Sequence, residues 1–218
     1  MSDEQFASVG NDSAMAASRI ARRSVLAAAG VLITRPAFAQ VSNGKPKVAV
    51  QTGKGVILLE LELGKAPITA ANFLRYVDAG KYDGAVFYRA SRAAGAPTVG
   101  LIEGGLADDQ AKFDPIAHES TLVSGLAHKD GTISMAREAP GTATADFFIC
   151  SGPASYLDAN PKAAGDNAGY AAFGSVVEGM DVVRAILALP TTGAARTPSM
   201  QGQILDPPVA ILSMKRVA

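Results

Sequence analysis

The sequence predicts a mainly β domain whose two helices close it off, built either as a closed antiparallel barrel or as a sandwich. Three observations predict it. Short runs rich in Val, Ile, Leu and Phe recur between Gly- and Pro-bearing turns. In one of them Glu60 and Glu62 alternate with Leu59, Leu61 and Leu63, a period of two with one wet and one dry face. Only two stretches carry a helical period, and they stand far apart in the chain. In a barrel they would plug the open ends.

Lys47–Thr52 and Val56–Leu63 flank Gly53-Lys54-Gly55, a tight turn between β-rich runs and hence a hairpin. Residues 67–79 switch to a helical period. Pro67 suits a first turn, Ala70, Phe73 and Val77 share a face, and Gly80 supplies the stop. Five short strands follow, over Ala85–Ala90, Thr98–Glu103, Gly131–Arg137, Asp146–Ser151 and Tyr170–Val177. Ser91–Pro97 reads as a loop between two of them. Gly179–Leu189 is the second helix, with Met180, Val183 and Leu187 on one face and Pro190 at its end. Pro208–Val217 is the closing strand. The aromatic residues Phe73, Phe87, Phe147 and Phe173 imply a filled interior, which argues against a carrier of hydrophobic ligands.

The 218 residues hold one domain and a short appendage, and a hydrophobic content of 48% against 18% charged supports a sizeable core. Lys+Arg and Asp+Glu are both 20, so no global field draws nucleic acid or an anionic membrane. A lone cysteine, Cys150, excludes an intramolecular disulfide. It lies in the apolar run Phe147-Phe148-Ile149-Cys150 and reads as an inert buried thiol. His118 and His128, without a second Cys, make no credible zinc site and read as hydrogen-bonded structural residues. No cofactor and no metal are expected.

The N-terminus reads as an export signal. A polar stretch precedes Ala21-Arg22-Arg23-Ser24-Val25-Leu26. The uncharged apolar run Val25–Ile33 is too short to span a bilayer, which takes about 20 residues. Ala37-x-Ala39 is a small-residue cleavage site. The arrangement resembles a bacterial twin-arginine signal, with Arg35 as the extra charge before the cut. Residues 1–39 are therefore expected to be removed after Ala39, 40–46 to be a leader and 47–218 the domain. The mature form is expected in the periplasm, not embedded in a membrane and monomeric. Removing four arginines and three acids leaves 16 basic and 17 acidic residues, still near neutral.

From residue 47 to 217 the chain resembles the cyclophilin-type peptidyl-prolyl cis-trans isomerases. The segments that carry the resemblance occur in family order: Ala66-Pro67-Ile68-Thr69-Ala70-Ala71-Asn72-Phe73, Tyr82-Asp83-Gly84 with Phe87-Tyr88-Arg89, Glu103-Gly104-Gly105, Gly131–Arg137, Asp146-Phe147-Phe148-Ile149, Tyr156-Leu157-Asp158 and Phe173–Met180. Tyr156 and Tyr170, where many eukaryotic members carry Trp and His, are similar to the bacterial periplasmic branch. The resemblance implies a closed eight-stranded antiparallel β-barrel capped by two α-helices. It implies catalysis of cis-trans isomerisation at proline in unfolded or extended polypeptides, assisting exported proteins to fold.

By motif position, Arg89 matches the catalytic arginine, while Phe148, Leu101 and Leu157 form the proline pocket. Tyr170 flanks that pocket and Tyr156 borders the groove. Backbone groups of Ala136 and Arg137 pair with the substrate main chain. Phe147 should face the barrel interior, because strand neighbours point to opposite sides. Three positions depart from the family. Gly100 replaces a Phe, so a pocket wall is missing; Glu103 and Asp146 replace two Gln near the arginine. Two carboxylates would fix Arg89 and offset its charge. The alternative reading is accordingly a cyclophilin-like module that binds proline peptides, as a chaperone would, with little or no turnover.

Overall fold

The computed structural model describes residues 45–106 and 111–218. The Arg22-Arg23 pair, the apolar run after it and the cleavage site at Ala39 lie outside the described residues. Eight strands form a closed barrel: β1 (Lys47–Thr52), β2 (Gly55–Leu61), β3 (Val86–Ala93), β4 (Ala96–Gly105), β5 (Thr132–Met135), β6 (Phe147–Ser151), β7 (Ala171–Glu178) and β8 (Ile204–Val217). Their order around the barrel is β1-β2-β7-β5-β6-β4-β3-β8, every neighbouring pair antiparallel. Helices α1 (Pro67–Asp78) and α3 (Met180–Leu187) were anticipated. A single-turn helix α2 (Thr121–Ser124), started by the Ser120 side chain on Leu122 N–H, was not. Four residues give no readable period.

Sequence chemistry explains the local elements. In the β1–β2 turn, Thr52 Oγ1 donates to Gly55 O and accepts from Lys54 N–H. Gly55 has φ +134°, and a Cβ there would come within 2.8 Å of Val182 on α3, so only glycine lets helix and hairpin meet. The alternating run of β2 buries Ile57, Leu59 and Leu61. Leu63 was expected on the same dry face. Instead β2 ends at Leu61, and Leu63, in the turn beyond it, is 38% exposed.

Helix α1 has no side-chain cap of its own at Ala66. The carboxylate of Glu119, far along the chain, accepts from Ile68 N–H at 3.1 Å and Thr69 N–H at 2.7 Å. It thus satisfies two orphan donors and complements the positive end of the helix dipole. Ala70, Phe73 and Val77 then face the barrel.

Three strands are longer than the sequence implied. Ser91–Pro97 is not a loop: β3 runs on to Ala93 and β4 begins at Ala96. This hairpin reaches α3, where Arg92 Nη1 donates to Leu187 O at 2.6 Å and Leu189 O at 2.9 Å, and Nη2 to Thr191 Oγ1. Those carbonyls end the helix and have no partner within it. β8 starts at Ile204, ahead of the expected Pro208.

The interior is aromatic. Phe73 lies 5.2 Å from Tyr82, 5.4 Å from Phe147 and 5.2 Å from Phe173, ring centre to ring centre. Phe87 meets Phe147 edge-on at 5.7 Å. Tyr82 keeps its hydroxyl satisfied on Ala145 O at 2.7 Å. A second, smaller apolar cluster lies on the other side of the β4 and β6 wall: Leu101, Phe148, Cys150, Ala154 and Leu157. β6 is therefore buried on both faces, which is why it reads as a continuous apolar run.

Candidate active site

Phe87 is buried in the barrel, so a regular strand would turn Arg89, two residues on, inward as well. The register shifts between them: Phe87 pairs with Gly104, but Arg89 with Glu103. Tyr88 is the extra residue of this bulge, and the bulge re-aims Arg89 to the outer face. Both side chains then reach one carboxylate. Arg89 Nη1 donates to Glu103 Oε2 at 2.6 Å, and the Tyr88 hydroxyl to Oε1 at 2.9 Å. Glu103 is only 7% exposed. Burial, with the Glu103 charge second, pushes the Tyr88 phenol well above its ordinary range and keeps it a donor.

The other edge of the guanidinium is held by a residue the sequence did not reveal. Gln203 Oε1 accepts from Arg89 Nε at 2.9 Å and from Nη2 at 2.7 Å. Asp146, expected on Arg89, is elsewhere. It pairs with Lys112 Nζ at 2.8 Å. The cause is local: Asp146 packs so closely on Gly105 that a Cβ there would lie 2.1 Å from its Oδ1. Arg89 therefore faces one carboxylate and one neutral amide. A guanidinium has five N–H donors. Among the described residues, three of Arg89's are engaged, and one N–H on each of Nη1 and Nη2 has no partner.

The outer apolar cluster adjoins this arginine, since Glu103 pairs with Phe148 and Leu101 lies two residues before Glu103. Leu101, Phe148 and Leu157 do come together, as the motif positions implied. Phe148 was expected at the groove surface. It is instead 3% exposed, covered edge-on by Tyr170 at 5.4 Å and stacked on His128 at 5.8 Å. Tyr170 is in turn fixed by Arg137, whose guanidinium lies 5.1 Å from its ring centre. Arg137 pairs with Asp166 through Nη1 and Nη2 and donates from Nε to Gly169 O. That pairing holds the Asp166 carboxyl down to about 2. Tyr156 is 74% exposed.

His128 backs the outer apolar cluster, stacked on Phe148. Its Nδ1 lies 2.6 Å from Asp158 Oδ1 and its Nε2 3.0 Å from Ser134 Oγ, while its backbone N–H also donates to Asp158. Burial lowers its pKa, with the Asp158 carboxylate pulling back. Cys150 is fully buried, and burial pushes its thiol up to about 12, so it offers no thiolate near neutrality.

Of the backbone groups around Ala136 and Arg137 expected to meet the substrate main chain, the Ala136 N–H donates to Asp146 O at 2.9 Å within the sheet. Gly100 is a matter of space: a Cβ there would sit 1.9 Å from Ser91 O, because the extended hairpin brings the two strands together. No aromatic wall fits at that position.

The model of the family "Cyclophilin type peptidyl-prolyl cis-trans isomerase/CLD" matches residues 47–215. A peptidyl-prolyl cis-trans isomerase of Acinetobacter baylyi is 35% identical over 198 residues, covering 89% of this chain and 95% of the relative. The isomerase cyp18 of Streptomyces antibioticus is 40% identical over 154 residues, covering 68% and 87%. A Cryptosporidium parvum cyclophilin-type isomerase, crystallised in the presence of the dipeptide Ala-Pro, superposes with a TM-score of 0.59 at 19% identity, covering 79% of this chain and 99% of that one.

Proposed function

Because the chain belongs to the cyclophilin-type peptidyl-prolyl cis-trans isomerase family, and is an enzyme of that class, we propose that Arg89 catalyses isomerisation at proline in unfolded or extended chains exported to the periplasm. The observation that carries the mechanism is the state of Arg89: held on two edges, with two N–H groups that have no partner among the described residues, beside an apolar cluster.

Rotation about an X–Pro bond costs roughly 18–20 kcal/mol because the nitrogen lone pair is delocalised into the carbonyl. Twisting the bond returns the lone pair to nitrogen, which then accepts a hydrogen bond. An N–H of Arg89 aimed at that nitrogen binds the twisted amide better than either planar isomer, and only such differential binding accelerates the step. Because the donor is already fixed by Glu103 and Gln203, little reorganisation is needed. Leu101, Phe148 and Leu157, with Tyr170 and Tyr156 beside them, would hold the proline ring. Arg137 acts on the pocket through its guanidinium, which holds Tyr170, and on the substrate through its backbone.

The periplasmic assignment rests on the sequence of residues 1–39, with cleavage after Ala39 and a monomeric domain over 47–218. Among the described residues no helix is long and apolar enough to cross a membrane. One observation favours the second reading, a peptide-binding module with little turnover: Glu103 lies against Arg89 and offsets its charge. Exchange NMR on an Ala-Pro peptide with the mature chain separates the two. Catalysed cis-trans exchange supports the enzyme; peptide binding without acceleration supports the module.

A further inference from the structure

We infer that Gln203 is the positioning residue for Arg89, the group that sets where the guanidinium's free N–H pair points. This rests on the reading of Arg89 as the catalytic residue.

The geometry is unusually constrained for a surface turn. Gln203 Oε1 accepts two bonds from one edge of Arg89, and its Nε2 donates to Ser199 O at 3.0 Å, which fixes the amide's orientation. The backbone is tied as well. Gln203 N–H donates to Met200 O at 3.0 Å, and Gln203 O accepts from Ala90 N–H at 2.8 Å, the residue following Arg89. Side chain and main chain thus register the same turn to the same bulged strand. Ile204, next in sequence, is Arg89's strand partner on β8.

The chemistry calls for such a residue. Glu103 engages Nη1 through one short bond, and a guanidinium held at one nitrogen can still swing about that contact. A second acceptor across Nε and Nη2 fixes the plane. Asp146 does not supply it, being held by Lys112. A neutral amide also fixes the group without cancelling more of the positive charge that the twisted amide must feel. A second carboxylate on the same edge would do the first and undo the second.

The test compares Gln203→Met, which keeps size but removes the acceptor, with Gln203→Glu, which keeps an acceptor. The readouts are kcat and KM from exchange NMR on an Ala-Pro peptide, and the Arg89 Nε–H resonance. Gln203→Met should lower kcat about tenfold with KM unchanged, the scale of one hydrogen bond to a charged group. It should also speed solvent exchange of the Nε proton. Gln203→Glu should recover the slow exchange but leave kcat low, because a second carboxylate on that edge offsets the charge of Arg89. Unchanged kcat in Gln203→Met, or a loss in KM alone, overturns the assignment. Arg89→Ala, run in parallel, keeps the two ideas apart. If it abolishes turnover while Gln203→Met does not, only the positioning role falls; if it has no effect, the catalytic reading falls first.

Discussion

Phe147 and Phe148 are neighbours on one strand and have different work. Phe147 is part of the barrel interior, ringed by Phe73, Tyr82 and Phe87. Phe148 faces outward, in a cluster of five buried residues beside an arginine, a glutamate and a histidine. Both rings are hidden from water, yet the interior is sealed by sheet and helices on every side, while the outer cluster has charged neighbours. Burial alone therefore does not separate the core from the proposed site; the company a side chain keeps does.

Substitutions at the two rings measure that difference. Phe147→Ala should destabilise the fold by about 3–5 kcal/mol, because the closed barrel cannot collapse around the cavity. Phe148→Ala should cost less, about 3 kcal/mol, since it leaves a smaller cluster outside the barrel, but should raise KM for proline peptides. Chemical denaturation and steady-state kinetics check both. If Phe148 proved the costlier, the outer cluster would be core and not pocket.

On the outer side, Glu103→Gln should raise kcat/KM about tenfold, equivalent to roughly 1.4 kcal/mol. An amide can still accept from Tyr88 and Arg89 without offsetting the arginine's charge. A fall in rate, with the fold intact, would show that the carboxylate supports the reaction. His128 supplies a pH signature of smaller size. Its pKa is lowered in the fold, so below about 6.5 the unfolded chain binds the proton more readily. Stability should be full above that pH and fall as pH drops toward the lowered folded value. His128→Gln should flatten this slope in melting curves taken across the acid range. Smallest of all, Asp146→Asn should change kcat by less than about twofold, because its partner is Lys112. A large change there would mean that Asp146 reaches Arg89 during turnover.

The interior was the readable part of the molecule. Alternation in β2, helical periods in α1 and α3, and the apolar runs of β3 and β6 follow directly from burial of one face or both. The resemblance placed Arg89, Phe148, Leu101 and Leu157 on one side of one wall, and the structure brings them there. What stayed hidden depends on long-range geometry. The bulge at Tyr88 leaves no mark in a string of apolar residues. Gln203 sits in the turn Met200-Gln201-Gly202-Gln203, which has no period, and meets Arg89 across 114 positions. Asp146 looked like a second acid for Arg89 until the Gly105 contact and Lys112 fixed it elsewhere. Glu119 capping α1 belongs to the same class, a local need met by a distant residue.

The central claim is that the outer wall performs the reaction through one fixed guanidinium. The most direct test is Arg89→Ala, with isomerisation of an Ala-Pro peptide and thermal stability measured on the same preparation. The account predicts a loss of about 100- to 1000-fold in kcat/KM, the scale of removing one preorganised donor, with the melting temperature nearly unchanged. Turnover that survives within a few-fold in a folded Arg89→Ala protein would contradict it.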